Sequence, residues 1–270
     1  MRFLVQFIRF SLIFFLIFVF LTHMALVWLV IWNQWRRTYW SNRLMCIYTT
    51  MGVHILGFKV KPLAQVELEK IKGGLYVGNH LSYMDILVFS SIVPACFVTS
   101  KEILHTPLLG QITRMAGCLF IERRNKQNLA SEITEIREAL RLGLRVAIYP
   151  EATSTNGEQI LRFRRPLFLA AIEAPAPVVP FCLNYRTVDG EPLFFANRDK
   201  VFWYGDMPFA SHLWALAGCL KGVEVDLHFM APLPMSIQDP TEMAAAAQTA
   251  VESVFRPVIN PNGPATPTVG

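Results

Sequence analysis

His80 and Asp85 are the two residues for which a chemical role is most strongly indicated. They stand five positions apart in the segment NHLSYMD, between an apolar run at 75–79 and a helix-like run at 86–93. In α/β folds, reactive groups lie where a strand ends and a helix begins. A carboxylate in the first helical turn could bind one imidazole nitrogen and leave the other as a general base. The alternative is a turn histidine near an acid that stabilises the helix N-terminus.

A second block carries two adjacent arginines at the end of an apolar run. The segment GCLFIERRN occupies residues 117–125 and includes Arg123 and Arg124. Guanidinium groups in this position could hold a phosphate through paired hydrogen bonds. A solvated strand end is the alternative.

A third block, YPEATSTNG at residues 149–157, follows the apolar run 146–149. Glu151 and the hydroxyl of Thr153 could orient a polar head group, and the backbone N–H groups of the turn could face a developing oxyanion. The alternative is an ordinary polar turn rich in hydroxyl and amide side chains.

Several common catalytic motifs are missing from the sequence. It contains no G-x-S-x-G, P-loop, G-x-G-x-x-G or H-E-x-x-H pattern, and its six histidines show no metal-ligand spacing. The five cysteines are scattered and never form C-x-x-C, which disfavours a zinc site and suits a reducing compartment. We therefore expect neither a metal nor a cofactor, and an enzyme of this kind would use the nucleophile of its substrate.

The N-terminal segment predicts attachment to a membrane. The chain of 270 residues is 53% hydrophobic with a net charge of +5, and residues 10–32 contain no Asp, Glu, Lys or Arg. This length suffices to cross a bilayer core, although the apolar run at 44–58 also allows a hairpin lying in one leaflet. Basic residues follow the first segment at Arg36, Arg37 and Arg43, which favours a cytoplasmic main domain. No nucleic-acid-binding signature accompanies the positive charge.

The remainder of the chain predicts an α/β domain, a mixed sheet flanked by helices. Short apolar runs predict strands at 75–79, 96–100, 117–122, 145–150, 178–185 and 223–229. Helical spacing of apolar residues predicts a helix over 129–140, and another is predicted over 241–255. We expect a membrane anchor at 1–58, a catalytic domain at 59–256 and a disordered tail at 257–270.

Taken in order, these blocks resemble the glycerolipid acyltransferase family, typified by 1-acylglycerol-3-phosphate acyltransferases. The family pattern N-H-x4-D is matched by Asn79, His80 and Asp85, and the pattern G-x-x-F-I-[DE]-R is matched by Gly117, Phe120, Ile121, Glu122 and Arg123. The pattern F-P-E-G-T is matched at Pro150, Glu151 and Thr153, and the pattern V-P is matched by Val179 and Pro180. Two positions differ. Ala152 replaces a glycine, which matters if the backbone there needs a positive φ. Ser154 replaces the arginine that is usual when the acceptor is a phosphomonoester.

The resemblance implies O-acyl transfer from acyl-CoA or acyl carrier protein to a lysolipid hydroxyl at a membrane. His80 would be the base, Asp85 its partner, and Arg123, Glu151 and Thr153 the ligands of the acceptor head group. The default acceptor is 1-acylglycerol-3-phosphate. Ser154 keeps lysophosphatidylcholine-like and lyso-ornithine acceptors open. An acyl thioesterase and an inactive lipid-binding relative are the alternatives from other classes.

Overall fold

The computed structural model describes residues 2–122 and 129–260. An eight-stranded mixed sheet runs in the order β1-β8-β6-β2-β5-β3-β4, with β7 paired to β6. The strands are β1 (Phe58–Ala64), β2 (Gly74–Gly78), β3 (Cys96–Ser100), β4 (Leu119–Ile121), β5 (Arg145–Ile148), β6 (Val178–Val188), β7 (Glu191–Pro192) and β8 (Val223–Phe229). The pairs of β8 and β7 with β6 are antiparallel, and the other pairs are parallel.

Helices cover both faces of this sheet. They are α1 (Arg2–Val30), α2 (Gln34–Ile55), α3 (Met84–Ser90), α4 (Leu109–Met115), α5 (Leu129–Arg141), α6 (Phe168–Glu173), α7 (Phe209–Ala217) and α8 (Pro240–Glu252). The predicted architecture of a mixed sheet flanked by helices is therefore confirmed.

Strand β2 shows how the sheet separates two hydrophobic cores. Tyr76 belongs to the core under α3 and the N-terminal helices, whereas Leu75 and Val77 belong to the core under α5, α6 and α8. All three side chains are fully buried. A strand buried on both faces must be apolar throughout, which is why its sequence is a continuous apolar run rather than an alternating one.

The first two helices form a hairpin that packs on the domain. The rings of Phe20 and Tyr48 pair at 5.4 Å, and the Tyr48 hydroxyl is hydrogen-bonded to His23. Near its start, α1 lies against α7: the Arg9 guanidinium donates to the carbonyls of Ala217 and Cys219. Within the described residues, α1 is the one helix long and apolar enough to cross a membrane, and only 17% of its most apolar window is buried. The exposed apolar surface is consistent with membrane association.

One strand and one contact of the C-terminal segment were not predicted from the sequence. Strand β1 begins at Phe58 and was not predicted, because its residues FKVKPLA are not a continuous apolar run. Among the described strands it pairs only with β8 and so forms an edge of the sheet, where exposed positions can be lysine. Within the tail predicted to be disordered, Val258 is buried and its N–H donates to the carbonyl of Gly157. Residues 261–270 lie outside the described residues.

Candidate active site

The loop between β2 and α3 brings His80 and Asp85 together. Nδ1 of His80 lies 2.9 Å from Oδ2 of Asp85, which is in the first turn of α3. An ionised carboxylate only accepts hydrogen bonds, so Nδ1 carries the hydrogen and Nε2 presents its lone pair. The His80 side chain is 19% exposed and Asp85 is fully enclosed. No hydrogen-bond partner of Nε2 occurs in the described part of the chain, so this nitrogen is available to a substrate.

Glycine at position 78 permits the close packing under this loop. A Cβ placed on Gly78 would lie 2.4 Å from the Phe181 ring on the neighbouring strand. The next residue, Asn79, is then tied to β6 from its side chain: Oδ1 accepts from the N–H of Leu183 at 2.8 Å, and Nδ2 donates to the Leu183 carbonyl at 3.0 Å. The residue before His80 is thus held in place by a rigid, buried strand.

Asp85 accepts four hydrogen bonds. Oδ2 accepts from Nδ1 of His80 and from the backbone N–H groups of Leu81 (2.6 Å) and Ser82 (2.9 Å). Oδ1 accepts from the hydroxyl of Tyr185 at 2.7 Å. Four donors compensate the carboxylate for its loss of water and fix its orientation toward the imidazole. Sequence reasoning missed Tyr185, which ends a predicted strand and belongs to no motif.

We expect Tyr185→Phe to lower kcat about tenfold and to leave KM within about twofold. A hydrogen bond to a charged group contributes about 1.5–3 kcal/mol, and about 1.4 kcal/mol is a factor of ten in rate. Tyr185 is buried and bonds Oδ1 of Asp85, whereas His80 bonds Oδ2, so the loss of its hydroxyl loosens the carboxylate and leaves the imidazole contact in place. Steady-state kinetics with donor and acceptor varied separately measure this. A raised KM with an unchanged kcat would contradict the positioning role.

Glu151 lies under the His80 loop, not at an open head-group position. Oε1 accepts from the backbone N–H of His80 at 2.8 Å, and Oε2 accepts from the N–H of Leu161 at 2.7 Å. The side chain is 2% exposed, and burial raises the pKa of Glu151 to about 7 against these two hydrogen bonds. The same turn holds the other side of His80, whose carbonyl accepts from the N–H of Thr155 at 2.9 Å. Each carboxylate oxygen of Glu151 therefore accepts a hydrogen bond from the protein backbone. The sequence predicted that this carboxylate would bind the head group of the acceptor.

The raised pKa of Glu151 predicts a pH-dependent stability. A carboxyl group that titrates near 4.5 when unfolded and near 7 when folded binds more protons in the folded state between these values. Its contribution to the free energy of unfolding therefore falls as pH rises from about 4.5 to about 7, and is constant above that range.

Glu151→Gln removes this titration, because the amide is neutral throughout. We expect the difference in melting temperature, wild type minus variant, to decrease as pH rises from about 5 to about 8. Thermal unfolding of the detergent-solubilised protein at several pH values measures it. A difference independent of pH, or one that grows with pH, would show that burial does not dominate the titration of Glu151.

The imidazole is also supported by an aromatic ring. Tyr149 stacks on His80 with ring centroids 4.2 Å apart and an interplanar angle of 13°. Its hydroxyl is buried, without a hydrogen-bond partner in the described parts of the chain. Burial raises the pKa of Tyr149, so the group stays a neutral phenol. Stacking limits rotation of the imidazole and so supports the orientation set by Asp85.

The other predicted residues of the third block lie on the outer side of the turn. Thr153 is exposed and Ser154 is half-buried. In the part of the chain that the structure describes, their backbone N–H groups have no hydrogen-bond partner, whereas those of Ala152 and Thr155 are bound to other carbonyls. Arg123 lies outside the described residues, so its predicted phosphate contact stays a prediction.

Ala152 adopts the conformation in which the family's glycine would be relaxed. Its φ is +61°, in the left-handed region. For a residue with a Cβ, this backbone conformation destabilises the folded protein by roughly 1–2 kcal/mol. Glycine removes that strain, but it also raises the entropy of the unfolded chain, which lowers stability by about 0.4–1 kcal/mol. We expect Ala152→Gly to raise the free energy of unfolding by about 0.5–1 kcal/mol. Thermal unfolding at one fixed pH tests this, and a lower melting temperature would contradict it.

The fold is shared with a solved acyltransferase. The crystal structure of the 1-acyl-sn-glycerophosphate (LPA) acyltransferase PlsC from Thermotoga maritima superposes with a TM-score of 0.63 at 15% identity, covering 94% of this chain and 95% of that one. At this level of identity the likeness concerns the fold.

Sequence comparison identifies the family. The family model "Acyltransferase" matches residues 62–184, which contain every block described above. The lyso-ornithine lipid O-acyltransferase of Rhizobium meliloti (strain 1021) is 29% identical over 73% of this chain and 66% of that protein. The 1-acyl-sn-glycerol-3-phosphate acyltransferase of Neisseria gonorrhoeae is 31% identical over 57% of this chain and 58% of that protein. The chain thus spans roughly two thirds or less of the length of these relatives. These matches confirm the predicted family: residues 62–184 of this chain belong to the Acyltransferase family, whose domain it shares with the lyso-ornithine lipid and 1-acyl-sn-glycerol-3-phosphate enzymes that it resembles.

Proposed function

We propose that this protein transfers an acyl group from a thioester donor, acyl-CoA or acyl carrier protein, to the hydroxyl of a lysolipid at a membrane surface. The observation that carries the proposal is the contact between Nδ1 of His80 and buried Asp85, which leaves Nε2 of a partly exposed imidazole as the base. The family supplies the reaction class, and this geometry supplies a base for it.

The chemistry needs no protein nucleophile. Nε2 of His80 removes the proton from the lysolipid hydroxyl while the oxygen attacks the thioester carbonyl. The tetrahedral intermediate carries its negative charge on the former carbonyl oxygen, which the free N–H groups of Thr153 and Ser154 would stabilise. The carbon–sulfur bond then breaks, and the thiolate takes the proton from His80. Asp85 stabilises the imidazolium between the two proton transfers.

Glu151 acts in this mechanism as a positioning residue. Its carboxylate accepts a hydrogen bond from the backbone N–H of His80, and the N–H of Thr155 donates to the carbonyl of His80. Thr153, which is exposed, is the residue of the third block that can reach an acceptor. We retain Arg123 as a proposed phosphate or carrier contact. The reaction as written uses no metal and no cofactor.

We propose lyso-ornithine lipid as the preferred acceptor, ahead of 1-acylglycerol-3-phosphate. Ser154 places a neutral hydroxyl where a phosphomonoester would benefit from a cation, and ornithine presents an amine and a carboxylate instead. The relative named for lyso-ornithine lipid also covers more of this chain than the 1-acyl-sn-glycerol-3-phosphate relative does, 73% against 57%.

We also propose that the apolar surfaces of α1 and α2 contact membrane lipids, with the catalytic domain on the cytoplasmic side. The orientation is supported by the arginines at positions 36, 37 and 43 that follow the apolar segment. A one-chain lipid acceptor would then reach the site without leaving the bilayer.

The test is an acceptor panel. The membrane-bound protein is incubated with a donor that carries a radiolabelled acyl group, either acyl-CoA or acylated acyl carrier protein. Each reaction contains one acceptor: lyso-ornithine lipid, 1-acylglycerol-3-phosphate or lysophosphatidylcholine. The esterified lipid is then identified. We expect product with lyso-ornithine lipid at the highest kcat/KM. Free fatty acid formed equally with and without acceptor would indicate a thioesterase and contradict the transfer.

A further inference from the structure

A cavity of about 290 Å³ lies at the edge of the sheet opposite His80. It is lined by residues that immediately precede or begin β5, namely Gly143, Leu144 and Arg145, together with Lys72 before β2. Gly74 and Arg145 are paired in the parallel register of β2 and β5, so both strands start here. His80 follows the other end of β2, which runs from Gly74 to Gly78. At about 3.3 Å per residue, the two ends of this strand are roughly 13 Å apart. The cavity is therefore separate from the acyl-transfer site.

The walls of this cavity are strongly basic. Arg43, Lys72 and Arg145 line it together with a single carboxylate, Glu69. Across residues 2–122 and 129–260, none of these three cations forms an ion pair with an acidic side chain. Three positive charges against one carboxylate leave the lining of this concave space positive, and such a space attracts an anion.

Two of the cations are held in place by the protein. Nε of Arg145 donates to the carbonyl of Ile71, and Nη2 donates to Ile71 (2.9 Å) and to Leu68 (3.3 Å). These bonds orient the guanidinium and keep its positive charge beside the cavity. The guanidinium of Arg43 lies 4.6 Å above the Tyr39 ring, which also lines the cavity. Such an arrangement lowers the entropy cost of binding a small anion.

The cavity opens beside the surface that we assign to the membrane. Arg43 lies on α2 one helical turn from Trp40 and Ile47, and these three residues share one face of the helix. Trp40 is 50% and Ile47 57% exposed. Tryptophan beside arginine at the edge of an apolar surface is typical of the head-group level of a bilayer.

We propose that this cavity binds the phosphate of an anionic membrane phospholipid such as phosphatidylglycerol. The Arg43 guanidinium and the Lys72 ammonium contact the phosphate oxygens, Arg145 adds its positive charge, and the acyl chains of the lipid run along the exposed apolar side chains of Trp40 and Ile47. A bound lipid at this edge fixes the orientation of the domain on the bilayer. The proposal depends on the membrane location proposed above and not on acyl-transfer chemistry.

The experiment compares lipid binding by charge variants of the full chain in an uncharged detergent. Native mass spectrometry measures the occupancy of phosphatidylglycerol and of phosphatidylcholine at equal concentrations. We expect Arg43→Gln and Lys72→Gln each to weaken phosphatidylglycerol binding about tenfold, since a lost charge-assisted hydrogen bond has an effect of this order. The matched controls Arg36→Gln, on the same exposed face of α2, and Lys61→Gln, exposed on β1, should bind like the wild type.

Further measurements separate this proposal from its rivals. His80→Ala should bind phosphatidylglycerol normally, and both cavity variants should keep wild-type acyl transfer in detergent without anionic lipid. Equal binding of phosphatidylglycerol by the cavity variants and the wild type, with melting temperatures unchanged, overturns the proposal. Displacement of the lipid by an equimolar concentration of inorganic phosphate identifies a soluble anion as the ligand and overturns the lipid assignment.

Discussion

Replacing His80 with alanine is expected to reduce acyl transfer by roughly 10²–10⁴-fold, the range that general base catalysis supplies. The loss should fall on kcat, because the imidazole acts on a hydroxyl already bound. The loop should keep its shape, since the N–H and carbonyl of residue 80 remain bonded to Glu151 and Thr155. Acceptor-dependent release of free CoA, measured with a thiol reagent, reports the effect.

The matched control is His54→Ala. His54 is an exposed histidine in the last turn of α2 whose Nδ1 is hydrogen-bonded to the carbonyl of Thr50, within the same helix. Both variants should remain in the membrane fraction, because neither changes the apolar face of α1. Turnover retained by His80→Ala would remove the proposed base, and an equal loss in His54→Ala would point to general disruption of the protein.

Replacing Asp85 with asparagine is expected to lower kcat by a similar roughly 10²–10⁴-fold while preserving the fold. The asparagine oxygen can take the place of Oδ2 and keep the bonds from His80, Leu81 and Ser82. Its NH2 group then faces the Tyr185 hydroxyl, which can accept as well as donate. What is lost is the negative charge that stabilises the imidazolium. Melting temperature and kcat, measured on the same preparation, distinguish this loss from unfolding.

The double variant Asp85→Asn with Tyr185→Phe tests whether the asparagine NH2 group faces the Tyr185 hydroxyl. Phenylalanine leaves the buried NH2 group without an acceptor, which costs about 1–3 kcal/mol of stability. We therefore expect a melting temperature below those of both single variants. If Asp85→Asn alone unfolds the protein, the carboxylate is primarily structural, and its assignment to charge stabilisation is wrong.

Local sequence patterns predicted the parts of the site that are close together in the chain. His80 and Asp85 are five residues apart, and a loop followed by the first turn of a helix can bring residues at this spacing together. Short apolar runs predicted six of the strands, and several of these runs are continuous because burial on both faces leaves no room for polar residues. Strand β1 was missed because an edge strand does not face that demand.

The hydrogen-bond partners of Glu151 and Tyr185 could not be predicted from local sequence patterns. Glu151 was predicted to bind the acceptor, because a carboxylate in a polar turn has the same pattern whether it faces solvent or a buried N–H. Its partner His80 is 71 residues away in the chain, and Tyr185 is 100 residues from Asp85. The pairing of β2 with β5 and β6 places these residues side by side.

By itself, the sequence determined the family, the sheet-and-helix architecture, the apolar N-terminal helix and the meeting of His80 with Asp85, since each depends on neighbouring residues or on composition. Only the tertiary structure decided which groups hold that pair and where three separated cations form a cavity. The physical reason is that hydrogen bonds and charge interactions depend on distance in space. That distance is set by strand register and helix packing, which no local pattern encodes.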